Sequence, residues 1–520
     1  MSSVIYQPSV SVSLASARLP VANSAQRVLL CGQSLSTGSA VDGAWVQNIG
    51  NAGEEVALFG ADSMLADMVR AFKQVAPQVR CDAIAVRDSG STKRVVGIGI
   101  TGTSTAAGTL TFRVGRAGRE FNLAVASGTA AATVLSAAAT LLNADTSLPF
   151  DVTVVSTTLT FTAVHAGTVA NELGIEVSGT VAGLTVGTPT QSVAGATDPT
   201  LTSILSAIGD TRYQGIVWAW AGATGALTDL LDSRFNVTDQ VLDGVGFVCK
   251  QDTYANLITY LAGGSPNAKN SPSLVVITDE QMSETGYLGG AIFEAPYIKA
   301  TYVAAVRALR LTQDAPLSRY LTTPAALDQY GGPALASLPM FNTRLPHLPV
   351  PVNGRGFTRL EIEALMAAGG AVLGQDISGS GVICGEVVTT YLTNGAGIAD
   401  PTWKFLNYVD TASQAREYLQ QNLRSIYAQS RLTEGDVVAG RDAANALSIR
   451  STLKKLYTDL AGRDYTLVQS GPDAVKYFED NLDVSINMSL GKVTITMLVP
   501  IVTQLREIIA TMTISFSTAG

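Results

Sequence analysis

The sequence feature that most constrains the fold is an alternation of short apolar runs with amphipathic helical patterns, which stops once and later resumes. The apolar run Arg27–Gly32 precedes a helical pattern that ends at Pro77, and a second apolar run, Cys81–Arg87, follows. Strands that alternate with helices in this way form a largely parallel sheet covered by helices on both faces. Because the same alternation returns after residue 198, we predict an α/β core domain formed by residues 27–90 and 198–312.

Residues 91–197 have a different character. They are rich in Gly, Ala, Thr and Val and read as short strands separated by turn signals, with one Ala-rich helix at Ala131–Asn143. This pattern predicts a mostly-β domain inserted into the α/β unit. Since the inserted residues interrupt the core without carrying its motifs, we expect the inserted domain to face outward.

The rest of the chain predicts a connector and a third domain. Residues 313–356 are Pro-rich and irregular, as in a segment that wraps over a neighbour or has a function of its own. Residues 357–507 combine helical patterns with extended runs, among them the predicted strands Gly381–Tyr391 and Trp403–Val409. This mixture indicates a C-terminal α+β domain.

Both ends of the chain alternate apolar and polar residues with period two, the pattern of a half-buried strand. Chain termini usually fray unless something holds them. Residues 1–26 and 508–520 are therefore predicted to be extended β-strand arms, which either pair within their own subunit or add to a sheet in a neighbour. The residues that share one face of these arms are Val10, Val12 and Leu14, and Ile508, Ala510, Met512, Ile514 and Phe516.

Composition narrows the class of function. Charged residues make up 15% of the chain, against about 25% in an average soluble domain. A chain with so little charge is typical of a protein that buries much of its surface against other subunits, although a Gly/Ala/Thr-rich soluble protein is an alternative. The net charge of −8 argues against a nucleic-acid partner, which requires a basic surface. No run of about 18 apolar residues predicts membrane insertion.

Residues suited to catalysis are scarce. The two histidines, His165 and His347, stand in no recognisable motif, and we expect both in loops or on strand surfaces. The four cysteines are scattered without a CxxC pair, which favours buried thiols. Gly97, Gly99 and Gly102 satisfy the spacing of a dinucleotide loop, but turn and strand patterns follow them where a helix would be needed. The sequence therefore predicts no catalytic residue, no metal site and no cofactor.

One basic cluster stands out in this acidic chain. It is either an ordinary solvated helix face or an electrostatic contact with an acidic partner, whose strength would fall with added salt. Its members are Arg441, Arg450, Lys454, Lys455 and Arg463.

The order of several motifs resembles the tail sheath proteins of contractile-tailed phages, in the Mu-like branch. The motifs are RVLLCGQ, VALFGADSMLADMVRAF, TRLEIEALMAAGG followed by GVICGEVVTTYLT, and the closing DNLDVSINMSLGKVTITMLVPIVTQLREIIATMTISF. They span nearly the whole chain. One departure concerns the strand before Thr389 and Thr390, where the family often has an Arg and this chain has Glu386-Val387-Val388.

The resemblance implies a structural subunit and no enzyme. Family members form stacked hexameric rings, arranged helically around an inner tail tube, with baseplate and tail terminator proteins as further partners. Their α/β core is subtilisin-like, and their terminal arms complete a sheet in adjacent subunits. The family implies a location in the virion tail, assembly in the host cell cytoplasm, and contraction that drives the tube through the bacterial envelope. On this reading the basic cluster is a candidate contact with the tube.

Two alternatives remain at the level of sequence. One is another self-assembling protein, such as a shell or surface-layer subunit, which composition alone allows. The other is a hydrolase on a subtilisin-like α/β body, which would need a histidine close to a reactive serine.

Overall fold

The computed structural model describes most of the chain between the two predicted arms. The described residues are 26–503 apart from 51–52, 89–91, 202–203, 238–240, 264–269, 285, 313–339, 341–342, 346, 350, 352–355, 376–380, 436–442 and 463–466. The apolar positions of both arms, and most of the Pro-rich connector, lie outside these residues.

The helices of the described residues agree with the predicted alternation in the first two thirds of the chain. Ala131–Asn143 has the predicted bounds. The helices are α1 (Glu54–Phe59), α2 (Met64–Val75), α3 (Ala131–Asn143), α4 (Gly225–Arg234), α5 (Tyr254–Leu261), α6 (Pro296–Thr312), α7 (Arg359–Ala367), α8 (Leu406–Tyr427), α9 (Ala446–Ala461) and α10 (Pro472–Asp480).

The strands fall into one large sheet and three smaller ones within the described residues. They are β1 (Arg27–Gln33), β2 (Trp45–Val46), β3 (Arg80–Val86), β4 (Lys93–Gly102), β5 (Gly108–Gly115), β6 (Glu120–Val125), β7 (Phe150–Val155), β8 (Thr158–Ala166), β9 (Gly174–Ser178), β10 (Leu184–Val186), β11 (Thr190–Val193), β12 (Gly215–Trp218), β13 (Val245–Asp252), β14 (Leu274–Glu284), β15 (Tyr287–Gly290), β16 (Gly370–Gln375), β17 (Gly381–Cys384), β18 (Arg431–Leu432), β19 (Ala443–Ala444), β20 (Asp483–Asn487) and β21 (Lys492–Thr496).

The centre of the large sheet is a run of parallel strands in the order β3-β1-β12-β13-β14-β16. Helices cover both of its faces, as adjacent residues of β13 show. Phe247 lies under the guanidinium of Arg307 in α6, 5.6 Å from ring centroid to Cζ. Gly246 points to the other face, where a Cβ would lie 2.7 Å from Leu227 of α4. The predicted α/β and α+β class is confirmed as a mixed multidomain fold, while its subtilisin-like character stays a prediction.

The insertion is joined to the body by main-chain pairing. Strand β15 turns back on β14 and pairs with β9 of the insertion, and β9 continues through β5 to β6. The remaining strands of the insertion form a second sheet, with β4 paired to β8, β10 and β11, and β8 paired to β7. One continuous hydrophobic core runs through the body and the insertion.

The last strands of the large sheet come from a segment that we assigned to the C-terminal domain. Strand β16 pairs with β14 in parallel, and β17 pairs with β16. Residues 370–375 and 381–384 therefore belong to the sheet of the α/β body. The predicted strand Gly381–Tyr391 is β17 only as far as Cys384. The predicted strand Trp403–Val409 is wrong, because only Phe405 makes an isolated bridge, to Val388, and α8 begins at Leu406.

Buried charges line the contact between insertion and body. Arg116 of the insertion lies between two carboxylates of the body, with Nη1 2.9 Å from Asp67 Oδ1 and Nε 3.4 Å from Glu294 Oε1. Burial raises the pKa of Glu294, and the charge of Arg116 opposes that shift. The guanidinium thus helps to compensate two buried carboxyl groups, of which Asp67 also pairs with Arg70 at 2.7 Å.

A second buried cluster joins the same two parts of the chain. Glu172 of the insertion accepts hydrogen bonds from Lys250 Nζ at 2.9 Å and from the main-chain N–H of Gln251 at 3.1 Å. The side chain of Gln251 accepts from Lys299 Nζ at 3.0 Å, and Lys299 is paired with Asp279 at 2.5 Å. These clusters fix the insertion on the end of the sheet where β13 and β14 finish.

Replacing Arg116 by Ala is expected to destabilise the protein by about 3–5 kcal/mol, because two buried carboxylates lose a shared cation. Urea unfolding followed by circular dichroism measures this change. The matched control is Arg359→Ala, since the side chain of Arg359 is 91% exposed in its pair with Glu363. Equal stability losses in the two variants would contradict the proposed role of Arg116.

Candidate functional site

The C-terminal unit, defined here as residues 406–503, has a hydrophobic core of its own. Helix α8 connects it to the body, because its two halves belong to different cores. Leu406 and Val409 pack in the core of the body, whereas Tyr418 and Leu419 pack in the second core. The unit is therefore attached through one long helix, and Leu311 of α6 also packs against its core.

Ion pairs fix the first half of α8 on the body. Asp410 pairs with Arg307 of α6. Arg416 Nη1 lies 2.7 Å from Asp243 Oδ2, and Glu417 Oε2 lies 2.7 Å from Arg212 Nη1. Since most of these groups are shielded from water, the pairs resist separation more than surface ion pairs do.

Helix α9 is the centre of the unit. Asn445 and Ser448 form a reciprocal capping box at its N-terminus, with Ser448 N–H donating to Asn445 Oδ1 at 2.8 Å. Helical spacing places Ile449, Leu453 and Leu460 on one buried stripe. This stripe supports the strand pair β20–β21.

The strands β20 and β21 form an antiparallel pair with no third strand among the described residues. Their apolar residues alternate with exposed polar ones, and none of these apolar positions is fully buried. A two-stranded sheet is marginal by itself, and its free edges are templates for further strands. The apolar positions are Val484, Ile486, Val493 and Ile495.

An apolar groove of about 240 Å³ runs beside β21. It lies between β21, the C-terminal half of α8, the short strands β18 and β19, and the start of α9. Its lining residues are Leu423, Tyr427, Ser430, Leu432, Ala444, Ile449, Gly491, Val493 and Ile495. A strand that paired with β21 would direct every second side chain into this groove.

The residues predicted for the arms cannot be placed. Val10, Val12 and Leu14, and Ile508, Ala510, Met512, Ile514 and Phe516, all lie outside the described residues. The described chain ends at Thr503, shortly after main-chain bonds that join Gln469 N–H to Pro500 O and Val502 N–H to Leu467 O.

The basic cluster is only partly available to a partner. Arg441 and Arg463 lie outside the described residues. Arg450 Nη2 donates to the main-chain oxygen of Glu479 at 3.3 Å, and Lys454 Nζ lies 3.2 Å from Glu479 Oε2. The structure brings these two cations together against α10 and leaves Lys455 exposed.

Sequence reasoning missed the groove and helix α10. The groove combines residues from 423 to 495, and no local pattern reveals such a combination. Helix α10 did carry a signal, because Pro472 after Gly471 is a typical first helical residue.

The expectation for His165 was wrong, because its side chain is buried in β8. Its Nδ1 lies 3.0 Å from Asp88 Oδ1, and its Nε2 accepts the main-chain N–H of Met64 at 3.1 Å. His347 is half-buried beside Tyr302, and burial lowers its pKa. Among the described residues no hydrogen bond joins either histidine to a serine, threonine or cysteine side chain.

The described part of the chain offers neither a metal cluster nor a membrane-spanning helix. It contains no group of three or more His, Cys, Asp or Glu residues arranged to hold a metal ion. None of its helices is both long and apolar enough to cross a membrane.

Neither a protein-family model nor a curated protein matches the chain. Solved structures of sheath proteins are similar to it along nearly its whole length. A sheath tail protein from Desulfitobacterium hafniense aligns with 92% of this chain and 93% of its own, at 10% identity and a TM-score of 0.42. A sheath tail protein from Listeria innocua aligns with 92% of this chain and 92% of its own, at 10% identity and a TM-score of 0.45. A chain from the contracted helical sheath of the anti-feeding prophage aligns with 98% of this chain and 99% of its own, at 11% identity and a TM-score of 0.43.

Replacing Leu453 by Ala is expected to cost about 2–5 kcal/mol, because the side chain is fully buried beneath the strand pair. Leu453 is 0% exposed, whereas Leu447 on the same helix is 73% exposed, so Leu447→Ala is the matched control. Thermal unfolding of both variants measures the difference. An unchanged melting temperature for Leu453→Ala would show that α9 does not organise the unit.

Proposed function

We propose that the chain is a structural subunit of a contractile tail sheath whose copies are joined by strand addition at β21. The observation that carries this proposal is the open strand pair beside an apolar groove. The same chain contains alternating segments, each with one apolar face, near both of its ends. The order of the sequence motifs supports the same assignment.

Strand addition suits this edge for a physical reason. Main-chain hydrogen bonds to β21 give direction and affinity, and alternate side chains in pockets give register. The half-exposed residues Val493 and Ile495 would then become buried. The favourable term is the removal of their remaining apolar surface from water, at roughly 25 cal/mol per Å².

The donor of the added strand is more plausible as a neighbouring copy than as the same subunit. Addition of one copy's arm to the next copy is a head-to-tail contact, which repeats into rings or helices. The low share of charged residues, 15%, also favours a chain that is extensively covered by other subunits. Closure of the arm onto its own subunit would instead give dispersed monomers.

The finer features of the proposal follow from the motif resemblance. They are stacked hexameric rings around an inner tail tube, end contacts with baseplate and tail terminator proteins, and contraction that drives the tube through the bacterial envelope. The sheath would be part of the virion tail and would assemble in the host cytoplasm. The subtilisin-like core and the outward position of residues 91–197 belong to the same proposal.

Closing the groove or removing the arms is expected to abolish polymerisation without unfolding the subunit. The variants are Ile495→Lys, which places a charge in the groove, and deletion of residues 508–520 or 1–26. The matched control is Thr494→Lys, because Thr494 is the adjacent exposed position of β21. Negative-stain electron microscopy and thermal unfolding are the measurements. Long tubes formed by Ile495→Lys or by either deletion variant would refute strand addition at this site.

A peptide experiment separates strand addition from a general loss of assembly. A synthetic peptide of residues 508–516 is expected to bind the protein that lacks residues 508–520. The control peptide exchanges residues 510 with 511, 512 with 513 and 514 with 515, so that composition stays constant and the apolar face is broken. Equal affinity for the two peptides, measured by calorimetry, would contradict binding through an alternating face.

Lys455 is the described cation best placed to test the tube contact. Lys455→Glu is expected to weaken association with the tube and to reduce its salt dependence, because Lys455 is exposed and makes no ion pair with another described residue. The control is Lys476→Glu on α10, whose side chain is 73% exposed. Co-sedimentation with the tube protein at two salt concentrations measures the effect. A tube affinity unchanged by Lys455→Glu would remove this residue from the contact.

The alternative classes give different images of the purified protein. Flat lattices would indicate a shell or surface-layer subunit. Dispersed particles with hydrolytic activity would favour the hydrolase class. Such an enzyme would need a nucleophile that is activated by a group other than the two histidines.

A further inference from the structure

We propose that His165 is a pH-sensitive latch between the insertion and the N-terminus of helix α2. The latch is closed when the imidazole is neutral and releases α2 when the imidazole is protonated. It concerns the seam between insertion and body, and it does not depend on the proposed sheath function.

The hydrogen bonds define the protonation state of the closed latch. Nε2 of His165 accepts the main-chain N–H of Met64, the first residue of α2, at 3.1 Å. Since Nε2 is an acceptor, the ring proton must reside on Nδ1, which lies 3.0 Å from Asp88 Oδ1. Only the neutral Nδ1–H tautomer makes both bonds.

The carboxylate of Asp88 is itself held in place. It accepts the Nε2–H of Gln33 at 2.7 Å and the main-chain N–H of Ala166 at 3.0 Å. The latch therefore joins the end of β1, the end of β3, strand β8 and the start of α2. Burial raises the pKa of Asp88, but the hydrogen bond and charge of His165, together with the hydrogen bonds from Ala166 and Gln33, outweigh burial and lower it below its ordinary value of 3.8.

The lowered pKa of Asp88 separates the protonation of Asp88 from the protonation of the imidazole. A carboxylate with a lowered folded pKa stabilises the protein above its ordinary pKa, and the contribution is lost only as the pH falls through the folded value. A free imidazole is half protonated at about pH 6.5. Asp88 therefore remains ionised around that pH, and the non-titrating His165→Gln variant separates the imidazole from Asp62, whose pKa is raised by burial.

Protonation acts differently on the two sides of the ring. On the Nδ1 side, an imidazolium forms a stronger pair with Asp88. On the Nε2 side, the new N–H faces the N–H of Met64 and the positive end of a helix dipole, so that hydrogen bond is lost. The ring is expected to keep Asp88 and to release the first turn of α2.

The other charges around the ring do not replace the lost bond. Asp62 precedes α2, Asp67 lies within α2 and is paired with Arg116, and Asp151 is exposed on β7. Burial raises the pKa of Asp62, while its interaction with His165 opposes that shift. These carboxylates attract an imidazolium, but in the folded structure the ring is hydrogen-bonded to Asp88 and Met64 and to none of these three.

Strand β4 supplies the remaining nearby charges. Lys93 is exposed, and Arg94 is buried with its guanidinium directed to the main-chain oxygens of Ala170 and Leu173 at 3.0 and 2.6 Å. Burial lowers the pKa of Arg94 to about 10, so it is still a cation across the relevant range. Its charge is constant and does not contribute to switching.

The chain has two histidines, which makes the test direct. The full-length protein is labelled with ¹⁵N-histidine, and its ring signals are assigned by comparison with His347→Gln. We expect the Nδ1–H tautomer for His165 at the higher pH of the series and an imidazolium at the lower pH. An imidazolium at the higher pH, or the opposite tautomer, would overturn the proposal.

Hydrogen exchange reports whether α2 is released. Exchange of the Met64–Asp67 amides, corrected for its intrinsic pH dependence, is expected to rise roughly 3- to 10-fold at the lower pH, the effect of one lost hydrogen bond. The decisive variant is His165→Gln, whose amide can donate to Asp88 and accept from Met64 without titrating. It is expected to keep α2 protected at both pH values. Unchanged protection in the unmodified protein with a protonated His165, or an equal rise in His165→Gln, would overturn the latch.

Discussion

Main-chain pairing along β14 is the interaction on which the rest of the structure depends. Its first part joins the parallel strands β13 and β16, and its second part turns into β15, which pairs with the insertion. One strand thus connects segments that are distant in sequence. Because each ladder bond satisfies a buried polar group, none of these segments can leave without exposing the edge of another. The body and the insertion are therefore best regarded as one folding unit.

Two edge strands, β7 and β21, differ in whether a side chain occupies their outer main-chain groups. At β7, the side chain of Asn143 donates to Val152 O at 2.7 Å and accepts Val152 N–H at 3.1 Å, which occupies the outer edge of that strand. Such blocking prevents pairing with other chains. At β21 the described residues provide no equivalent side chain, and an apolar groove lies alongside. An edge left open beside a groove favours one intended partner strand over indiscriminate association.

The sequence predicted best those elements whose structure is set by residues close together in the chain. The bounds of α3, α4 and α5 follow from helical spacing and neighbouring turn residues, and the α/β alternation follows from the same signals. Leu406–Val409 is an apolar stretch that tertiary packing makes helical, so its pattern alone misleads. The groove and the environment of His165 depend on residues that meet only after folding. No spacing rule contains that information, which is why a buried histidine was expected at the surface.

The distribution of buried charge indicates where this molecule can change shape. Arg116 with Asp67 and Glu294, and the ion pairs of α8 with the body, would each leave uncompensated charges if their partners separated. Breaking such pairs costs several kcal/mol. Under the proposed strand addition, the main-chain bonds of a single added strand can persist while the joined bodies take a new orientation. Rearrangement between copies is therefore expected at added strands and arms, while body, insertion and C-terminal unit keep their contacts. In the proposed latch, His165 differs from the other seam contacts, because its hydrogen bond to α2 is lost when the ring takes up a proton from water.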